Sequence, residues 1–533
     1  MNPARLTCLV PLAALLVGCG PSRKTERMLD EVTHGEIAKA EATAVDLYGD
    51  DADEALVRHM EIGLVRHLGG DLEGSLKELD AAAPLVDERR KTSVLDAVGT
   101  AIVNDRIGAF QGRAYEHTQV DYYRVLDHLL LAQRLESLWT PPRVLWPKGP
   151  APTPIVSSLE ASDHRQRAII AARRMTINQL KETEDANPGR RYDDDPFARL
   201  LAAAAVATLP PSERTETDEQ FAAAMLTRAL ATYQRQAKDL TAANTPFRYE
   251  AAAEPALART LYLRHLLRYD PEEAQRQLEA RQMTAAQVRL PPGTGSVLVL
   301  HHAGFVARPE PLQIGIGAVG FASPKGATCV SWGQVVFVVE GPGSEIANNW
   351  VALPIPGDAV QTLLAPGGAA VIGFELPAHR PDVRAPAPAR VTVGTTTLDS
   401  EVLCDLDAYA RATLLDAQPR LLLRTLLRVV AKQAVVAGGS RVIRDQNNPT
   451  ANLLGFAVNL VGSVAMTATE SADLRAWNTL PDRVEGALLD LPAGSHAVTV
   501  TTSTGPCDLG QVRVVPGRLT VVALRSPDTM RSP

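Results

Sequence analysis

A chain of 533 residues is too long for one hydrophobic core and calls for about two to four domains. Hydrophobic residues make up 45% and charged residues 22%, a globular balance that excludes a wholly disordered chain, while aromatics at 5% beside abundant alanine and leucine favour helices. The formal net charge of −7 excludes a general basic field for nucleic acid.

The first predicted element is a leader. In MNPARLTCLVPLAALLVGC, Arg5 precedes an apolar run over 6–17 that is too short to span a bilayer as a permanent anchor, so residues 1–18 read as a signal peptide. The run ends in Leu16-Val17-Gly18-Cys19, which resembles the bacterial lipobox. That resemblance implies cleavage before Cys19 and acylation of its sulfur and new amino group, with palmitate-type chains holding the protein on a membrane. The alternative is an ordinary secretory signal with a chance cysteine. Gly20 stands where an inner-membrane retention aspartate typically lies, which favours the outer membrane, facing the periplasm. Residues 19–34 are polar and read as a lipidated tether.

From 35 to 285 the pattern is helical. ALVRHMEIGLVRHLGGDLEGSLKELDAAAPLVDE (55–88) resembles a tetratricopeptide repeat, with Ile62-Gly63 as the packing pair of a first helix and Gly70-Asp71-Leu72 as the turn. Ser75, Leu79 and Ala82 take the small, large and small positions of the second helix, and His59 and Arg66 replace the usual aromatics. Residues 108–139 and 165–182 repeat apolar positions at i, i+3 and i+4, and DPFARLLAAAAVATL with EQFAAAMLTRALATYQRQ reads as a further helix pair. PPRVLWPKGPAPTP (141–154) is a loop or linker. The expectation is an irregular helical-repeat solenoid presenting a concave surface.

The character changes near Pro291. SVLVLHHAGF, QVVFVVEG, NWVALPIP, AAVIGFELP and ARVTVGT are short runs bounded by glycine and proline and read as strands. A helical segment over about 404–468 follows, then a β-rich tail over 485–526, in which PAGSHAVTV is similar to small β-sandwich modules. The region 290–533 is therefore expected to be an α+β domain with short antiparallel strands.

Four features could carry chemistry. In PRLLLRTLLRVVAKQ, Arg420, Arg424, Arg428 and Lys432 fall every four residues and form one slowly turning stripe on an otherwise apolar helix. The stripe reads as a narrow solvated face, as cations paired internally with Asp405, Asp407 or Asp473, or as a site for an anionic ligand. Asp473, Arg475 and Trp477 alternate and would share one strand face, as an ion pair beside an aromatic plug or as a polar site. LLGFAVNLVGSVAMTA (453–468) is too short to span and reads as a buried helix packing through small residues, with a membrane-dipping segment as the alternative. His301-His302 have no nearby acid or cysteine to complete a metal set and read as a strand-end pair with one ring inward. The sequence lacks HExxH, GxSxG, GxxxxGK[ST] and GxGxxG, so no cofactor is expected and no catalytic residue is named. Cys329, Cys404 and Cys507 allow one disulfide but no cysteine framework.

The lipobox, GGDLEGSLKELD, NDRIGAFQGRAYEHTQVDYYRVLDHLL, HAGFVARPEP, PRLLLRTLLRVVAKQ and ADLRAWNTLPDRV together resemble a family of uncharacterised bacterial outer-membrane lipoproteins. Its members have tetratricopeptide-like N-terminal halves and a C-terminal domain carrying an ADxRxWxxLP motif. His301, His302 and Ala303 depart from that family's usual opening of the HAGF segment. The resemblance implies an architecture and an address but no reaction. The expected work is that of a scaffold for another envelope protein. The alternatives are an accessory factor or enzyme on cell-wall or other anionic ligands, and a lipid-contacting component.

Overall fold

The computed structural model describes residues 21–95, 108–141, 155, 157–184, 194–242, 253–318, 328–332, 335–340, 372–379, 387–418, 421–422, 424–425 and 472–526. Its first half comprises α1 (Pro21–Thr33), α2 (Ile37–Tyr48), α3 (Ala55–Gly69), α4 (Leu72–Leu95), α5 (Ala114–Leu135) and a two-residue strand β1 (Trp139–Thr140). There follow α6 (Ala161–Glu184), α7 (Pro196–Ala207), α8 (Glu216–Ala242), α9 (Ala256–Tyr269), α10 (Pro271–Ala280) and α11 (Ala285–Val288). The second half starts with β2 (Thr294–Ala303), β3 (Glu310–Ala318), β4 (Thr328–Trp332), β5 (Val335–Glu340) and β6 (Ile372–Ala378). β7 (Arg390–Val393), β8 (Thr396–Asp399) and β9 (Glu401–Asp405) lead into a helix α12 over 406–418. The chain then forms β10 (Arg483–Pro492), β11 (Gly494–Thr502), β12 (Gly505–Val514) and β13 (Leu519–Ser526). The class is α+β.

Local chemistry sets the helix ends. Gly70 closes α3 at φ 78°, a left-handed position that suits glycine, and the N–H groups of Gly70 and Asp71 donate to His67 and Arg66 carbonyls. The chain reverses there, so α3 and α4 run antiparallel, with His59 against Glu78 at one level and Arg66 against Gly74 at the other. Gly63 lets them close in, since a Cβ there would lie 3.0 Å from a Leu79 methyl. Asp195 caps α7 by accepting from the N–H groups of Phe197 and Ala198, with Pro196 in the first turn where its missing donor costs nothing.

Among the described residues the strands form three sheets, ordered β13-β2-β10-β9, β1-β12-β11-β7-β8 and β4-β5-β3-β6. β2 is buried along nearly its whole length and holds β10 antiparallel on one side and β13 parallel on the other. The expectation of short antiparallel strands needs two exceptions among the described residues: β2 and β10 are ten residues long, and β2–β13 is a parallel pair beside otherwise antiparallel pairings. The near-continuous apolar run Val297–Leu300 suits a strand covered on both faces.

Helices and sheets share their interior. One contiguous apolar cluster runs from Met28 on α1 to Leu524 on β13. On α5, Gln133 donates to the Val521 carbonyl at 2.8 Å and accepts the Val521 N–H at 2.6 Å, which satisfies the outer edge of β13. β1 continues the turn after α5 and pairs with β12, so a strand lies inside the segment read as helical, and the Trp139 indole donates to the Leu509 carbonyl at 2.8 Å. Residues 21–33, read as tether, form α1 instead. Met28 and Val32, one turn apart, give that polar stretch a buried edge against α2.

Candidate functional site

The segment 472–481 is an irregular loop with a turn at 478–479, not a strand, and the N–H groups of residues 477–479 are taken by helix side chains rather than by a neighbouring strand. Trp477 is fully buried, and its N–H donates to Oε1 of Glu116 at 2.8 Å. The other oxygen of Glu116 accepts the Arg113 N–H at 2.7 Å, so one carboxylate caps α5 and anchors the loop. Glu61, buried in the middle of α3, accepts from the N–H and side-chain amide of Asn478 on Oε1 and from the N–H and hydroxyl of Thr479 on Oε2. Burial pushes the Glu61 carboxyl up to about 7, against the opposite pull of those donors.

Arg475 pairs with Asp473 at 2.7 Å and with Glu54 at 3.0 Å, donates to the Gly108 carbonyl and lies 5.7 Å from the Phe110 ring centroid. The structure thus brings Asp473, Arg475 and Trp477 together, and closes them: the two charges answer each other and Glu54, and the indole is plugged against Tyr123. Asp473, one of the three carboxylates considered for the cationic stripe, is engaged by Arg475. Of the stripe, Arg424 is helical and half-buried, whereas Arg420, Arg428 and Lys432 lie outside the described residues, as does 453–468.

Both rings of His301-His302 are buried, on opposite faces of β2, which corrects the expectation of one inward ring. His302 faces the helices, with its Nε2 2.7 Å from the Tyr122 hydroxyl. His301 faces the other way, 2.6 Å from the Ser526 hydroxyl and 3.3 Å from Glu485. Glu485 also accepts from Ser400, Arg483 and the Ala389 N–H. Burial opposes its ionisation, but the His301 hydrogen bond and charge together with Arg483 bring its carboxyl down to about 2. Close by, His67 pairs with Asp127, and Arg525 donates to the Gly304 and Thr479 carbonyls. Each of these groups is spent on another protein group, in a layer that joins helices to sheet. Cys404 and Cys507 are free thiols, the first buried beside Asp195.

One cleft is open. It holds about 370 Å³ between the end of α7, the start of α8, one face of α9 and the β12–β13 turn. Ala203, Ala204, Ala207 and Ala222 leave the space, and Arg214, Arg264, Arg268, Arg289 and Arg518 line it beside Glu219. These arginines are scattered over three hundred positions and escape a reading by motif. The run of four alanines at 202–205 was the available signal, since a helix of such small residues leaves room at its surface. Glu61 and Glu116 were legible only as acids set among apolar helix positions.

Comparison of the chain with protein-family models, curated proteins and solved structures returns no match. Among the described residues no helix is long and apolar enough to cross a membrane.

Proposed function

We propose that this is an envelope lipoprotein, anchored through Cys19 at the outer membrane and facing the periplasm, whose helical region holds another envelope protein. In this reading α3–α4 is one hairpin of an irregular tetratricopeptide-like array, and the chain belongs with the lipoproteins whose ADxRxWxxLP segment it resembles. The observation that carries the proposal is a row on α6. Ile170, Ile177 and Leu180 are 65%, 51% and 37% exposed at helical spacing, an apolar edge that a helix facing only water would not keep. The closed state of Asp473, Arg475 and Trp477 also favours holding a partner over performing a reaction there.

The test is photo-crosslinking from position 177 in the membrane-tethered protein, compared with position 216 on another exposed surface. A discrete adduct from 177 alone, lost in Ile170→Glu with unchanged thermal stability, supports the reading. Equal, diffuse labelling from both positions overturns it.

A further inference from the structure

The cleft at the junction of α7, α8, α9 and the β12–β13 turn is chemically two-sided. Its floor is apolar: Ala203, Ala204, Val206, Ala222, Leu226 and Leu261 line it. Its rim is cationic, and the cations differ in how they are compensated. Arg264 is paired with Asp490, Arg518 with Glu136 and Arg268 with Glu219, the last at 3.6 Å. Arg214 and Arg289 have no carboxylate partner among the described residues.

Arg214 is held rather than neutralised. Its guanidinium donates to the carbonyls of Ala207 and Leu209 at the C-terminal end of α7, and to that of Gly517 in the β12–β13 turn, at 2.9–3.1 Å. Helix-end carbonyls fix a cation in place by their dipoles but bring no net charge. Burial presses Arg214 toward its neutral form and the neighbouring Arg268 and Arg518 charges add to that, while Glu219 and Tyr269 oppose them. An anion entering the cleft would offset that mutual repulsion, and a planar guanidinium suits a carboxylate or phosphate oxygen pair. The cleft's volume lies at the small end of ligand pockets, which run from roughly 300 to 1,000 Å³.

We infer that this cleft is a binding site for a small amphiphilic anion: an acidic head placed between Arg214 and Arg289, and an aliphatic body laid on the alanine floor. The site goes beyond the scaffold reading and stands without it, because it uses neither α6 nor the lipid anchor. It also places ligand chemistry where helical and sheet halves meet, so occupancy would tie α9 to the β12–β13 turn.

The experiment is calorimetric titration of the purified full-length protein with decanoate, below its micelle concentration, against decanol and inorganic phosphate. One decanoate per chain, with decanol and phosphate each at least tenfold weaker, is the expected result. Equal binding of decanol removes the role of the arginines, equal binding of phosphate removes that of the floor, and absence of decanoate binding removes the site; each overturns the proposal. Arg289→Glu reverses an exposed charge without touching the core, and Ala207→Phe fills the cleft from a half-exposed helix position. Each should weaken decanoate at least tenfold. Should Ala207→Phe fail to fold, Arg289→Glu decides alone, and unchanged affinity in that variant overturns the assignment.

Discussion

Thr479 donates both its hydroxyl and its backbone N–H to one oxygen of Glu61, at 2.5 and 3.2 Å, across 418 positions of sequence. With Asn478 on the other oxygen, the carboxylate of a mid-helix residue becomes the socket for a loop from the far end of the chain. Glu116 repeats the arrangement one residue earlier in the loop, at Trp477. Two buried acids therefore do for Trp477, Asn478 and Thr479 what a neighbouring strand would do for a strand: they take up consecutive backbone N–H groups.

Trp477→Ala should cost about 3–5 kcal/mol, the usual loss for a core aromatic, because the indole is fully enclosed and its removal leaves a cavity against Tyr123. Urea unfolding measures this, and an unchanged midpoint would refute it. Trp477→Phe should cost less, since the indole Nε1 is buried with no hydrogen-bond partner to lose.

Glu61 should tilt stability with pH. Its folded carboxyl titrates at about 7 against an ordinary 4.5, so the folded chain holds that proton more tightly than the unfolded chain does. The stability from protonated Glu61 is then complete below its ordinary value and fades as pH rises through about 7. Asp195, pushed by burial to about 7, adds to the same slope. Glu61→Gln should flatten the dependence of unfolding free energy between about pH 4.5 and about pH 7.5. Equal slopes in wild type and variant would count against the assignment.

Arg475→Ala should lower stability by about 1–3 kcal/mol, because it leaves Asp473 and Glu54 facing a part-buried site without their cation. In a double-mutant cycle with Glu54→Ala, the coupling should exceed about 0.5 kcal/mol. Additive losses would mean that the ion pair contributes nothing across the helix–loop contact.

Much of the architecture was legible. Gly70-Asp71 marked the turn between α3 and α4, four of the five apolar runs named after Pro291 marked strands while NWVALPIP lies outside the described residues, and ADLRAWNTLP marked a buried tryptophan. What periodicity could not show was partnership. The alternation of Asp473, Arg475 and Trp477 fits a strand, but whether a strand forms depends on a neighbour, and here two glutamates far away in sequence took that part. Residues 21–33 looked like tether because two buried apolar side chains, Met28 and Val32, are few beside the charges around them. For the cleft the alanine run was a partial signal: it marks a helix with room at its surface, but whether that room is filled or open is set by α9 and the β12–β13 turn.

At the N-terminus, the lipobox-like Leu16-Val17-Gly18-Cys19 predicts that Cys19 begins the mature chain and carries acyl groups. Mass spectrometry of the native N-terminal peptide should find a modified cysteine. An unmodified peptide, or one starting elsewhere, removes the anchor from the proposed function.

The parallel pairing of β13 with β2 has a kinetic side. Leu519 meets Ser296 and Ser526 meets Ala303, so the central sheet gains its outer strand only after more than two hundred further residues have been made. Closing so long a loop must precede the contacts that reward it, which makes folding slow and leaves β2 with a bare edge in the interval. Under the proposed envelope address, the chain would meet that interval after export, where an exposed edge invites aggregation, and a holding chaperone would protect it until its last strand is in place.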